Sequence, residues 1–108
     1  MRTPTNRRPT HPGEILNEEF VKPLGLTQKE LASRIGVSYP RLNQLIHGRR
    51  AVTPDTALRL ARFFGTTPEF WLNLQLAYDL YEARRRSGYG EIVPYEDPAA
   101  GETSGARA

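Results

Sequence analysis

The stretch from Thr27 to Gly48 packs two helix starts and two helix stops into a short span, and few folds accommodate that punctuation. Thr27-Gln28-Lys29-Glu30 has the form of a capping box. The Thr27 hydroxyl accepts from a first-turn N–H, and Glu30 reaches back toward the cap. Leu31, Ala32 and Ile35 then share one face, and Gly36 stands where a left-handed residue ends a helix most easily. Ser38 opens a second helix as its N-cap, with Pro40 in a first turn that does not need its missing N–H. Leu42, Leu45 and Ile46 recur at i, i+3 and i+4 before Gly48 closes the segment. Two capped helices joined by Gly36-Val37-Ser38 predict a helix-turn-helix.

The flanks supply three more helices. One starts after Thr10-His11-Pro12, with Glu14 favouring the positive helix end and Pro23 and Gly25 closing it. Its apolar face is Ile15, Leu16, Phe20 and Val21. Thr53-Pro54-Asp55 and Thr67-Pro68-Glu69 each place a cap, a proline and an acid in order. The first of these opens a helix with Ala57, Leu60, Ala61 and Phe64 inward and Gly65 at its end. The second runs to about Arg86, with Arg84, Arg85 and Arg86 at its negative C-terminal end. The expectation is an all-α, five-helix, phage-repressor-like domain over residues 11–86. Residues 1–10 read as a disordered basic arm and residues 87–108 as an acidic flexible tail. Glu91-Ile92-Val93-Pro94-Tyr95 is the one strand-like piece, either an edge strand or part of that tail.

Charge follows the same division. The net charge of +3 comes from an arginine-bearing arm (Arg2, Arg7, Arg8), a neutral body, the Arg84–Arg86 run and an acidic tail. That distribution suits a body that touches phosphate with selected residues. There is no cysteine, which excludes disulfides and cysteine-ligated zinc, and no apolar segment follows the basic N-terminal residues. A cytoplasmic location is expected, with no membrane association. His11 and His47 are the only histidines and stand far from ligand spacing, so no metal site and no cofactor are expected. No phosphate-binding glycine loop, nucleophile elbow or carboxylate pair suggests an enzyme.

The apolar stripe of the helix after Ser38 must face the core. Ser38, Tyr39, Pro40, Arg41, Asn43 and Gln44 are therefore the candidates for reading bases from its outer side. Arginine pairs with guanine O6 and N7, asparagine and glutamine with adenine N6 and N7, and Tyr39 and Pro40 offer apolar contact to a thymine methyl. Gln28, His47, Arg49 and Arg50 are placed for phosphate, which positions a protein without reading sequence, with capping of its own helix the alternative for His47.

Thr27-Gln28-Lys29-Glu30-Leu31-Ala32, Ile35-Gly36-Val37-Ser38 and Leu42 to Gly48 together resemble the Cro and phage-repressor type of helix-turn-helix. With His11-Pro12-Gly13-Glu14-Ile15-Leu16 before them and Phe64 to Gln75 after them, the chain resembles the HigA, or VapI-like, antitoxin family over residues 11–82. The resemblance implies base contacts at Tyr39, Pro40 and Gln44 and a phosphate contact at Gln28. Arg41 rests on helix geometry alone. It also implies two activities: silencing a cognate HigB-type toxin, a ribosome-dependent mRNA endonuclease, and repression of its own operon as a dimer on double-stranded operator DNA. An orphan repressor without a toxin is the alternative.

A homodimer has separate support. Phe70, Leu74, Ala77 and Tyr81 form one stripe of the fifth helix, and Trp71, Leu72, Leu76, Tyr78 and Leu80 lie beside or beyond it. That apolar arc is wider than one small core requires, so the latter five are the expected subunit interface.

Overall fold

A computed structural model describes residues 8–86 and 88–96. Five helical segments run in order. α1 (Pro12–Ile15) continues without a break into a π-helical turn (Leu16–Val21), and α2 (Gln28–Ile35), α3 (Tyr39–Ile46), α4 (Pro54–Phe64) and α5 (Pro68–Arg85) follow. A short 3-10 turn, Tyr89–Glu91, comes after α5. Among the described residues there is no strand: Glu91 ends that turn, Ile92 is a bend, and Val93 to Glu96 have no regular structure. The strand-like reading of 91–95 is thus corrected. Its one β-branched pair faces an immediate proline, and no second strand lies beside it to accept a ladder. Most of the proposed arm and tail, residues 1–7 and 97–108, lies outside the described residues. Arg8 forms a 3.1 Å ion pair with Glu82 on α5, so this part of the arm is tied to the domain.

The four Ser and Thr N-caps of α2 to α5 form. Thr27, Ser38, Thr53 and Thr67 each accept a hydrogen bond from the backbone N–H three residues on, at 3.0, 3.2, 3.3 and 3.1 Å. Gly36 and Gly65 close α2 and α4 with φ of 80° and 77°. His11 caps α1 differently: its Nδ1 accepts from the Gly13 N–H at 2.9 Å. The π turn was not foreseen. Lys22 N–H donates to the Asn17 carbonyl, five residues back. This wider turn brings Leu16 and Val21, also five apart, onto one buried face.

The core is built from Leu16, Val21, Leu31, Ile35, Leu42, Leu45, Ile46, Val52, Ala57, Leu60 and Trp71. Trp71 is its largest member and is fully buried. Its ring packs on Phe20, Phe64 and Phe70 at centroid distances of 5.1, 6.4 and 4.9 Å, and its Nε1–H donates to Thr66 Oγ1 at 2.8 Å. Trp71 is therefore removed from the expected subunit interface. The inward stripe of α5 is rotated from the one read in the sequence: Trp71 and Gln75 are buried, Tyr78 and Glu82 are half-buried, and Phe70 and Ala77 are exposed. A buried glutamine hides this phase, because a hydropathy pattern counts it as a surface residue. Among the described residues, no helix is long and apolar enough to cross a membrane.

Candidate nucleic-acid interface

Two short helices need help to hold one geometry. The turn between α2 and α3 is closed by the N–H groups of Gly36 and Val37, which both donate to the Ala32 carbonyl at 2.9 and 3.0 Å. Arg59 of α4 then clamps it from outside. Its Nη1 donates to the Ile35 carbonyl at 2.9 Å, and its Nε donates to Asp55 at 3.0 Å. The hydrogen bond from Arg59 is the main reason the Asp55 carboxyl sits below the ordinary carboxylate range. From the other side, α1 presses on the end of α3 through Gly13, where even a Cβ would meet the Leu45 carbonyl.

With Leu42, Leu45 and Ile46 buried, α3 presents its other face to solvent. Ser38, Tyr39, Pro40, Gln44, His47, Arg49 and Arg50 are exposed, and Gln28, Arg41 and Asn43 are half-buried. These ten residues come from the start of α2, from α3 with its N-cap, and from the loop after it. Several are already engaged. Asn43 Nδ2 donates to Gln28 Oε1 at 2.9 Å, linking a base candidate to a phosphate candidate. Arg50 donates to Gln44 Oε1 from both Nε, at 3.1 Å, and Nη2, at 3.0 Å. His47 is the C-cap of α3, with Nδ1 2.9 Å from the Asn43 carbonyl. Arg41 departs most from its expected role. It bends back to α4, donating to Thr56 Oγ1 at 2.9 Å with Asp55 3.5 Å away. Its guanidinium therefore braces α3 against α4 rather than standing out from the surface.

Chains that share this architecture place it in a family. A helix-turn-helix family model matches residues 18–71. The chain is 46% identical over 90 residues to virulence-associated protein I of Dichelobacter nodosus, covering 82% of this chain and 83% of that one. It is 46% identical over 94 residues to antitoxin HigA-1 of Vibrio cholerae, covering 87% of each chain. The antitoxin HigA of Pseudomonas aeruginosa, solved with the higBA promoter, superposes with a TM-score of 0.74 at 40% identity, over 81% of this chain and 98% of that one.

The chain belongs to the HigA antitoxin family. This is a family of DNA-binding helix-turn-helix proteins and not of enzymes.

In this HigA family member, one contributor to the surface and two buried supports behind it were missed from the sequence. Lys29 lies over the Tyr39 ring at 5.7 Å and adds a cation beside it. Its place in the first turn of α2, next to Gln28, was the available signal. Thr56, in the first turn of α4, emerged as the partner of Arg41. Gln75 lies far away in sequence, yet its Oε1 accepts from the Val52 N–H at 2.8 Å and its Nε2 donates to Asp79 at 2.9 Å. It fixes the end of the loop that carries Arg49 and Arg50. No local pattern announces such a contact.

On α5, Leu76 and Leu80 are exposed, at 55% and 40%. Leu72 is half-buried. Leu76 and Leu80, four residues apart, are the exposed apolar pair of the outer side, while Leu72 also packs against the core. Tyr78 faces inward instead, its ring 4.8 Å from that of His11.

Proposed function

We propose that this chain is the antitoxin of a type II toxin–antitoxin pair. It binds double-stranded operator DNA as a homodimer, represses its own operon, and neutralises a HigB-type mRNA endonuclease in the cytoplasm. The observation that carries this reading is the ordered polar face of α3, in a chain whose HigA relative was solved with promoter DNA.

The chemistry of that face gives each residue a task. α3 enters the major groove with its N-terminal turn foremost, so Ser38, Tyr39, Pro40 and Gln44 meet base edges. Asn43 follows, held by Gln28. Gln28, Lys29, His47 and Arg49 lie toward the phosphates on either side. Arg41 supports α3 from behind. The outer stripe of α5, Leu72, Leu76 and Leu80, is the face on which two copies meet. A two-fold pair then sets its two α3 helices about 34 Å apart, one turn of B-DNA.

The test is co-expression with the product of the adjacent gene, followed by light scattering and DNA-binding assays on the complex and on the chain alone. Copurification and rescue of growth are expected, together with binding of an inverted repeat upstream of the operon. Failure to copurify with or neutralise any neighbouring product would leave a repressor without a toxin. Arg49→Ala should weaken binding to all sequences and flatten its salt dependence, as loss of a phosphate contact does.

A further inference from the structure

We infer that Gln44 and Arg50 act as one all-donor unit that reads guanine, with Arg50 deciding which base Gln44 accepts. The inference rests on the operator-binding reading above and changes two expectations drawn from the sequence: adenine for Gln44 and a phosphate for Arg50.

A glutamine amide ordinarily matches adenine because it offers one acceptor and one donor side by side. Its carbonyl takes the N6 amino hydrogen and its amino group donates to N7. In this chain the carbonyl is already taken. Arg50 places Nε–H and Nη2–H on Gln44 Oε1, at 3.1 and 3.0 Å. Two donors occupy both lone pairs of that oxygen. The orientation of the amide is fixed by chemistry, since a guanidinium has no acceptor and cannot face the amino end of Gln44. What remains toward solvent is the Nε2 amino group and the unused N–H groups of Arg50, all of them donors.

The loop geometry keeps this arrangement. Gly48 has a φ of 77°, a left-handed conformation that turns the chain back on α3. Arg49 N–H then donates to the Gln44 carbonyl of the backbone at 2.8 Å. Val52, two residues after Arg50, is anchored by Gln75 from α5. Arg50 is therefore held over Gln44 by fixed points on both sides, and its charge strengthens both hydrogen bonds.

An all-donor surface has a definite preference in the major groove. Guanine presents two acceptors there, O6 and N7. Adenine and cytosine each present an amino group, which would meet a donor and lose its water without a partner. Thymine offers one acceptor, O4. The order expected at the base that Gln44 meets is guanine first, thymine second, adenine and cytosine last.

The experiment is selection from a randomised duplex DNA library by the full-length chain, in wild-type, Gln44→Ala and Arg50→Ala forms, followed by competition binding at the affected position. Both residues are exposed, and thermal melts verify that the variants fold. The wild type should enrich guanine at a position of each half-site that Gln44→Ala loses, with at least about ten-fold discrimination against adenine. Arg50→Ala frees the Gln44 carbonyl and should turn that position toward adenine. Adenine in the wild-type selection would overturn the inference. So would guanine retained by Arg50→Ala with a uniform loss of affinity, which is the behaviour of a phosphate clamp. If the wild type enriches no sequence, operator binding itself fails, a result separate from a wrong base.

Discussion

At Gly13 the backbone of α1 lies directly against the backbone at the end of α3. A Cβ built there lies 1.8 Å from the Leu45 carbonyl oxygen and 2.7 Å from its carbon. Side-chain carbons essentially never come closer than 3.0 Å, so Gly13→Ala forces α1 and the end of α3 apart by more than 1 Å. The obstacle is backbone, not the tip of a flexible side chain, and a close-packed interior yields little. Overpacking of this kind costs about 3 kcal/mol at the upper end of its usual range. Alanine returns about 1 kcal/mol through helix propensity. The net loss is about 2 kcal/mol, which for a domain of this size lowers Tm by about 10 °C. Thermal and urea denaturation followed by circular dichroism would measure it, with Gly90→Ala as the control. A Cβ at Gly90 meets nothing within 4 Å, and that variant should melt as the wild type does. Because Leu45 belongs to the helix proposed to face DNA, Gly13→Ala should also bind operator more weakly in its folded state. A Gly13→Ala protein as stable as the wild type would refute the claim that α1 sets the position of α3.

Three further outcomes are expected. Stability should fall in acid through His11: burial lowers its pKa below 6.5, outweighing the opposing carboxylates of Asp79 and Glu14. Its contribution is complete above pH 6.5, where both folded and unfolded chains are neutral, and is lost as pH falls from there through the folded value. Protonation also removes the acceptor that Nδ1 offers to Gly13, so His11→Asn, which keeps a cap, should flatten this part of the pH profile. Gln75→Leu should cost about 1–3 kcal/mol by leaving the buried Val52 N–H without a partner, measurable as a reduced urea midpoint at unchanged m-value. Leu76→Glu with Leu80→Glu should turn the proposed dimer into a folded monomer by light scattering and weaken binding to the full inverted repeat far more than to a half-site. A dimer that persists in that double variant would move the interface off α5.

The caps and glycine stops of α2 to α5 are readable in the sequence because each is a contact within three or four residues, and the chain's own connectivity brings its partners together. The inner faces of α2, α3 and α4 are readable for a related reason: their apolar positions repeat at the helical period, with only one way to turn inward. That reasoning weakens on α5. Its apolar residues nearly encircle it, and only packing on Phe20 and Phe64 decides that Trp71 goes in while Leu76 and Leu80 stay out. The π turn escapes because it follows from docking Leu16 and Val21 together, not from any local preference. The candidate DNA surface divides along the same line. Which residues lie on the outer side of α3 follows from periodicity alone. What they are free to do was decided by tertiary contacts: Arg41 drawn back to Thr56, Asn43 joined to Gln28, and the Gln44 carbonyl filled by Arg50. A residue's type states how many hydrogen bonds it can make, but only the folded chain determines how many remain for a partner.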